Sequence, residues 1–192
     1  MARDASNTRN RLLEAAKQQF AEHGFERSTV RAIAAAADVD PALINRYFGG
    51  KEQLFAEAVS IDLAFPDLRE TPRGKIGEVL ARHFFRRWEG KPSDDLLRVL
   101  IRSAATNEEA AARIRGIFEE QVAKMIGRLT GASDSRQRAA LVATQILGLA
   151  YCRYVLRLDD RDLPVEIAVQ SIGATLQRYL FDGAGVRPPA ES

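Results

Sequence analysis

Apolar residues in this chain recur at steps of three and four almost without interruption, the spacing of an α-helix with one buried face. Leu12, Leu13, Ala16 and Phe20 open the pattern, and Gly24 follows as a natural C-terminal stop. Ser28 or Thr29 caps a short second helix over Val30–Ala37, with Ile33 and the alanines facing inward. Asp38-Val39-Asp40 is a tight turn, and Asp40-Pro41 is an acidic cap followed by proline at a first helical position. That third helix runs to about Phe48, Gly49-Gly50 breaks it, and Lys51 opens a fourth, expected over Lys51–Ala64.

Longer helices are expected over Gly74–Trp88, Asp94–Ala105, Asn107–Leu129, Arg136–Leu158 and Pro164–Phe181. Leu141–Leu158 is too apolar for a surface helix and is expected to pack on two sides, with Gly148 and Ala150 allowing close helix approach. No strand hairpin, internal repeat or glycine-rich phosphate loop is found. The fold class is therefore all-α, with about nine helices. A three-helix head is set at residues 7–55, with a helix-turn-helix at about 30–49, a helical body at 56–182 and a frayed tail at 183–192.

Composition narrows the function. The single cysteine, Cys152, excludes an intrachain disulfide and a multi-cysteine zinc site. The longest apolar run, around Ile146–Ala150, is far too short to span a bilayer, and Met1–Asn10 lacks the apolar core of a secretion signal, so a cytoplasmic location is expected. His23 and His83 are the only histidines, no Ser/His/Asp or Cys/His set is present, and no Glu-x-x-His spacing suits a di-iron bundle. No enzyme, metal or cofactor is expected. His83 reads as a structural histidine beside an apolar stripe, and Cys152 as a small buried hydrophobe. Arg153 and Arg157 are expected to pair with acids such as Asp159 or Glu166.

A short helix, a turn of about four residues and a second short helix over Val30–Phe48 fit a helix-turn-helix, whose second helix enters the DNA major groove. Ile33, Val39, Leu43 and Ile44 form the small core that sets the angle between the helices, leaving Pro41, Ala42, Asn45 and Arg46 outside. Asn45 can pair with adenine or bond a phosphate, and Arg46 can do the same for guanine or phosphate. Tyr47 offers a hydroxyl to phosphate, and Lys51 adds charge to a helix start. Thr29 and Arg31 stand where the second helix can touch backbone oxygens. Arg3, Arg9 and Arg11 are read as an arm over the minor groove, with a solvated tail as the alternative for Arg3. Residues 1–55 carry eight Lys/Arg against seven Asp/Glu, a net of +1, so any affinity for DNA must come from placement of charge. A helical ligand-binding protein without a working DNA head is the rival reading.

Arg9 through Phe55 resembles the N-terminal module of the TetR family of regulators, through Arg9, Leu12-Leu13, Ala15-Ala16, Phe20, Gly24, Thr29-Val30, Ile33-Ala34, Ala37, Val39, Tyr47-Phe48, Lys51-Glu52 and Leu54-Phe55. The chain departs from the family in having Asp38-Val39-Asp40 for Gly-Val-Ser, Asn45 for a common Tyr and Gly50 for a capping Ser. The resemblance implies a homodimer paired through its last two helices, a palindromic double-stranded DNA operator, and an effector pocket in the body for a small molecule that releases a repressor. Phe84, Trp88, Phe118, Met125, Tyr151 and Tyr154 are the candidate pocket residues, although aromatic residues at helical spacing also build cores.

Overall fold

The computed structural model describes residues 2–89 and 95–182, and among them every regular element is helical. They are α1 (Ala2–Arg27), α2 (Val30–Ala36), α3 (Ala42–Phe48), α4 (Lys51–Ala58), α5 (Ile76–Trp88), α6 (Asp95–Ser103), α7 (Glu108–Ile117), α8 (Lys124–Thr130), α9 (Ser135–Ala150) and α10 (Val165–Phe181). The stretch expected as one helix over 107–129 is α7, a π-helical segment (Phe118–Ala123) and α8 in succession, and a second π segment (Tyr151–Val155) follows α9. The expected turn at Gly90–Ser93 and the tail from Gly183 lie outside the described residues.

The chain divides into two compact units, one of residues 1–61 and 91–116 and one of residues 62–90 and 117–192. In the first, α1 buries Leu12, Ala16 and Phe20 along one stripe. Gly24 then leaves helical geometry at φ 75°, ψ 174°, a left-handed conformation glycine adopts without a Cβ penalty. This turns Phe25 back against Phe55, with ring centroids 4.8 Å apart, while Phe20 meets Phe55 edge-on at 4.9 Å. The buried Ser28 satisfies the carbonyls freed there, its Oγ donating to Gly24 at 2.7 Å and to Gln19 at 3.0 Å. Helix α6 packs on α1 and buries Leu96, Leu97, Val99 and Leu100.

Helix α4 stops at Ala58, six residues before the expected end. Backbone groups that would have continued the helix are bonded elsewhere. Arg113 donates to the Val59 carbonyl and to Ser60 Oγ. In the second unit, Leu63 gives its N–H to Gln121 and its carbonyl accepts from His83, while Arg87 donates to the Asp62 carbonyl. Pro66 further disfavours helical geometry at Phe65. Residues 59–72 are therefore an irregular strap, bonded by distant side chains over its first residues.

The second unit is built on α5 against α10. Gly77 and Gly173 meet at the crossing: a Cβ on Gly77 would fall 2.2 Å from the Gly173 carbonyl oxygen, and one on Gly173 2.9 Å from Glu78 Cα. Gln177 seals the contact, accepting from the Gly77 N–H at 2.9 Å and donating to the Arg73 carbonyl at 2.8 Å. The close approach expected at Gly148 is not found within this chain, for nothing stands within 4 Å of a Cβ placed there. Helix α9 buries Ala139, Val142, Leu149 and Ala150 on one face only, and Leu147 and Tyr151 are exposed on the other. Arg138 joins α9 to the end of α10, pairing with Asp134 at 2.6 Å and donating to the Leu180 carbonyl at 2.9 Å.

Candidate functional site

The helix-turn-helix is assembled from local side-chain bonds. Thr29 is extended at the corner before α2, and its Oγ1 accepts from the Ala32 N–H at 3.1 Å, filling one of the donors a helix start leaves open. Arg31 is exposed on the first turn of α2. Beyond Ala37 the chain reverses through Asp38, at φ 52°, where the family pattern has glycine; aspartate is among the few residues that tolerate this region. Asp40 Oδ1 then accepts from the Ala42 N–H at 2.7 Å, and Pro41 enters helical geometry with no N–H to satisfy.

Helix α3 has two distinct faces. Ile44 and Phe48 are buried, Leu43 and Tyr47 are half-buried, and Pro41, Ala42, Asn45 and Arg46 are exposed. The exposed face thus offers a methyl group, an amide that both donates and accepts, and a guanidinium fork, the groups that can address base edges and phosphates. The Arg46 guanidinium stands 5.9 Å from the Tyr47 ring centre. Gly49 closes the helix in the left-handed region, and Gly50, at φ 139°, takes a conformation reserved for glycine. Lys51 begins α4 with its ammonium 4.2 Å over the Phe25 ring, so its charge is held close to the head core.

Two arginines expected in an arm over the minor groove are engaged within the head. Arg9 pairs with Glu57 at 2.6 Å, and Arg11 donates to the Ala37 carbonyl at 2.5 Å. The sequence held a clue to the first, because Arg9 extends the buried stripe of Leu12, Ala16 and Phe20 by one helical step.

The six pocket candidates fall into separate places in the second unit. Phe84, Trp88 and Tyr154 form one aromatic cluster, with the Trp88 and Tyr154 rings stacked 5.1 Å apart at an interplanar angle of 5°. Burial and the neighbouring carboxylate of Glu89, which accepts from Tyr154 Oη at 3.2 Å, push the tyrosine well above its ordinary pKa. Arg153 is taken up in the same network. It bonds Glu89 at 2.9 Å and Asp160 at 2.5 Å instead of the expected Asp159 or Glu166; Glu166 pairs with Arg82. Burial opposes the charge of Arg153, but its bonds to Asp160 and Glu89 outweigh that, and its pKa stays above the ordinary value. Tyr151 is exposed, and Phe118 is half-buried with Arg136 5.9 Å from its ring centre. Of the six, Met125 lines a groove of about 750 Å³ formed by the strap, the stretch around 120–129 and Phe181. Sequence reasoning missed the strap residues Phe65, Pro66 and Leu68 in that groove, because they read as a helix end and a loop. His83, held by the Leu63 carbonyl at 2.9 Å, has its pKa lowered chiefly by burial. Among the described residues no helix is long and apolar enough to cross a membrane, and no cluster of side chains suits a metal ion.

A short capped helix with a polar outer face, preceded by a sharp turn and a second short helix, defines a DNA-binding helix-turn-helix regulator rather than an enzyme. Family models agree along most of the chain: residues 12–58 match "Bacterial regulatory proteins, tetR family", and residues 75–180 match "Tetracyclin repressor-like, C-terminal domain". The chain belongs to the TetR family of transcriptional regulators. It is 28% identical to the "Probable acrEF/envCD operon repressor" of Escherichia coli K12, over 95% of this chain and 80% of that protein. A shorter stretch is more similar to a transcriptional repressor of Streptomyces coelicolor, at 41% identity over 66 residues, 33% of this chain and 34% of that one. A TetR-family regulator of Streptomyces coelicolor A3, solved by crystallography, shares the fold with a TM-score of 0.65 and 29% identity, covering 91% of this chain and 95% of that one. The SmeT–triclosan complex shares the fold at a TM-score of 0.60 and 20% identity, over 97% of this chain and all of SmeT.

Proposed function

We propose that the chain is a cytoplasmic repressor that binds a palindromic operator as a homodimer and releases it when a small molecule occupies the body. The observation that carries this reading is the two-faced α3, with Ile44 and Phe48 fixed in the head core and Pro41, Ala42, Asn45 and Arg46 free to face DNA. In this reading Asn45 and Arg46 address bases or phosphates, and Thr29, Arg31, Tyr47 and Lys51 contact the backbone. The exposed Leu147, Tyr151 and Ile167 and the open surface at Gly148 support pairing of α9 and α10 with those of a second copy. The groove beside Met125 supports an effector site, with its mixed apolar and polar wall. Residues 7–55 read DNA and 56–182 bind effector and partner; α6 packs on α1, which offers a route between the two tasks.

The full chain should enrich a palindromic duplex from fragmented genomic DNA, and sedimentation should show one dimer on it. Arg46→Ala should reduce the slope of log K against log salt by about 0.9 for each phosphate that the guanidinium neutralises. Failure to enrich any duplex above non-specific binding would point instead to a helical ligand-binding protein whose head does not read DNA.

A further inference from the structure

Helix α3 has seven residues, too few for a helix to hold itself together, since isolated helices need about 12–15 residues to be even marginal in water. Its orientation must therefore be supplied by neighbours, and arginines from α1 meet the turn that leads into it and its last residue. At the entry, Arg11 Nη2 donates to the Ala37 carbonyl at 2.5 Å and reaches the Asp38 carbonyl at 3.4 Å, with the Asp38 carboxylate 3.8 Å away. These are the last carbonyls of α2 and the first of the reversal, where the helix dipole favours a cation. They also flank Asp38, whose left-handed φ of 52° stores strain. At the exit, the Arg9 guanidinium lies 4.7 Å from the centre of the Phe48 ring, the last residue of α3, and bonds Glu57 of α4 at 2.6 Å.

We propose that Arg9 and Arg11 are positioning residues that hold the recognition helix, Arg11 through the turn that leads into it and Arg9 at its last residue, and set DNA affinity without touching DNA. The proposal rests on the reading of α3 as the DNA-contacting helix. It assigns to these side chains a task distinct from that of an arm over the minor groove.

The test uses the full-length chain at a temperature where circular dichroism shows every variant folded. Amide exchange is measured on the free protein, and affinity across salt on a duplex enriched from random DNA by the wild type. Arg11→Ala should speed exchange at Val39 and Leu43 by about fivefold and weaken DNA binding by about the same factor, the worth of roughly one net hydrogen bond. The salt slope should equal that of the wild type. Arg11→Ala combined with Asp38→Gly should recover both exchange and affinity, since glycine relieves the left-handed strain the arginine holds in place. Arg9→Ala should speed exchange at Gly49, again with an unchanged salt slope. A lowered salt slope in either variant would show direct phosphate contact and overturn the proposal. So would unchanged exchange and affinity, or a double variant that fails to recover. If the wild type enriches no duplex, the DNA reading of α3 falls by itself, and the exchange rates of the free protein still decide whether the two arginines hold the helix.

Discussion

The recognition helix α3 and the last helix α10 are held by opposite means. Helix α3 is short, and its geometry is set by side chains that bond backbone, Asp40 at its start and Arg11 on the preceding turn, and by left-handed Gly49 at its end. Helix α10 has 17 residues, and its geometry is set by backbone against backbone, Gly173 on Gly77, where no side chain fits. Side-chain bonds tolerate small adjustment, whereas a contact between two backbones does not. The head can thus be tuned residue by residue, while the core of the body is fixed by shape.

The head's aromatic core offers the most forceful challenge to this contrast. Phe55→Ala removes a fully buried ring that Phe20 and Phe25 both pack against, and should cost about 3–5 kcal/mol in chemical denaturation. Should the cost fall well under about 2 kcal/mol, the head would be held mainly by its polar bonds after all. Next, Gly77→Ala drives a methyl group into the Gly173 carbonyl, and a cost of about 3 kcal/mol is expected from thermal unfolding. The same change at exposed Gly148, where a Cβ meets nothing within 4 Å, should stabilise the isolated chain slightly, because alanine is the better helix former.

Asp40→Ala probes the polar side of the contrast at a smaller scale. It should cost about 1 kcal/mol through removal of the cap on Ala42, and Asp40→Asn should restore most of it. The smallest effect concerns pH in the body. His83 has a folded pKa below its ordinary 6.5, so in the window beneath 6.5 the unfolded chain binds the proton more readily than the folded one. Stability should therefore fall as pH drops through 6.5 and level off below the folded value. An NMR titration that placed His83 above 6.5 would reverse that sign.

Much of the head was legible because its signals are local. Gly24, Thr29, the Asp40-Pro41 pair and Gly49 each act on backbone within a few residues, so each element boundary follows from chemistry beside it in the chain. The end of α4 was not legible, since the bonds that halt it come from Arg113 and those that hold the following strap from Gln121 and His83, all distant in sequence. The aromatic stripe of α5 announced buried residues but not their neighbours. That Trp88 stacks on Tyr154 while Tyr151, three residues earlier, stays exposed depends on the π turn after α9, for which the spacing gave no sign. The same holds for the glycines: close approach was expected at Gly148, whereas the crossing of α5 and α10 places it at Gly77 and Gly173, which the spacing did not single out.

The Gly77–Gly173 crossing also bears on how this lineage can diverge. One residue inserted upstream in α10 would turn everything beyond it by about 100° and carry the glycine off the contact. Single-residue insertions and deletions within that helix should thus be purged, whereas changes of length collect in the connections on either side. A relative that has only one of the two glycines should show a compensating change at the other position or a wider spacing of the two helices. The pair is then a marker for sorting homologous sequences into those that share this body geometry and those that share only the head.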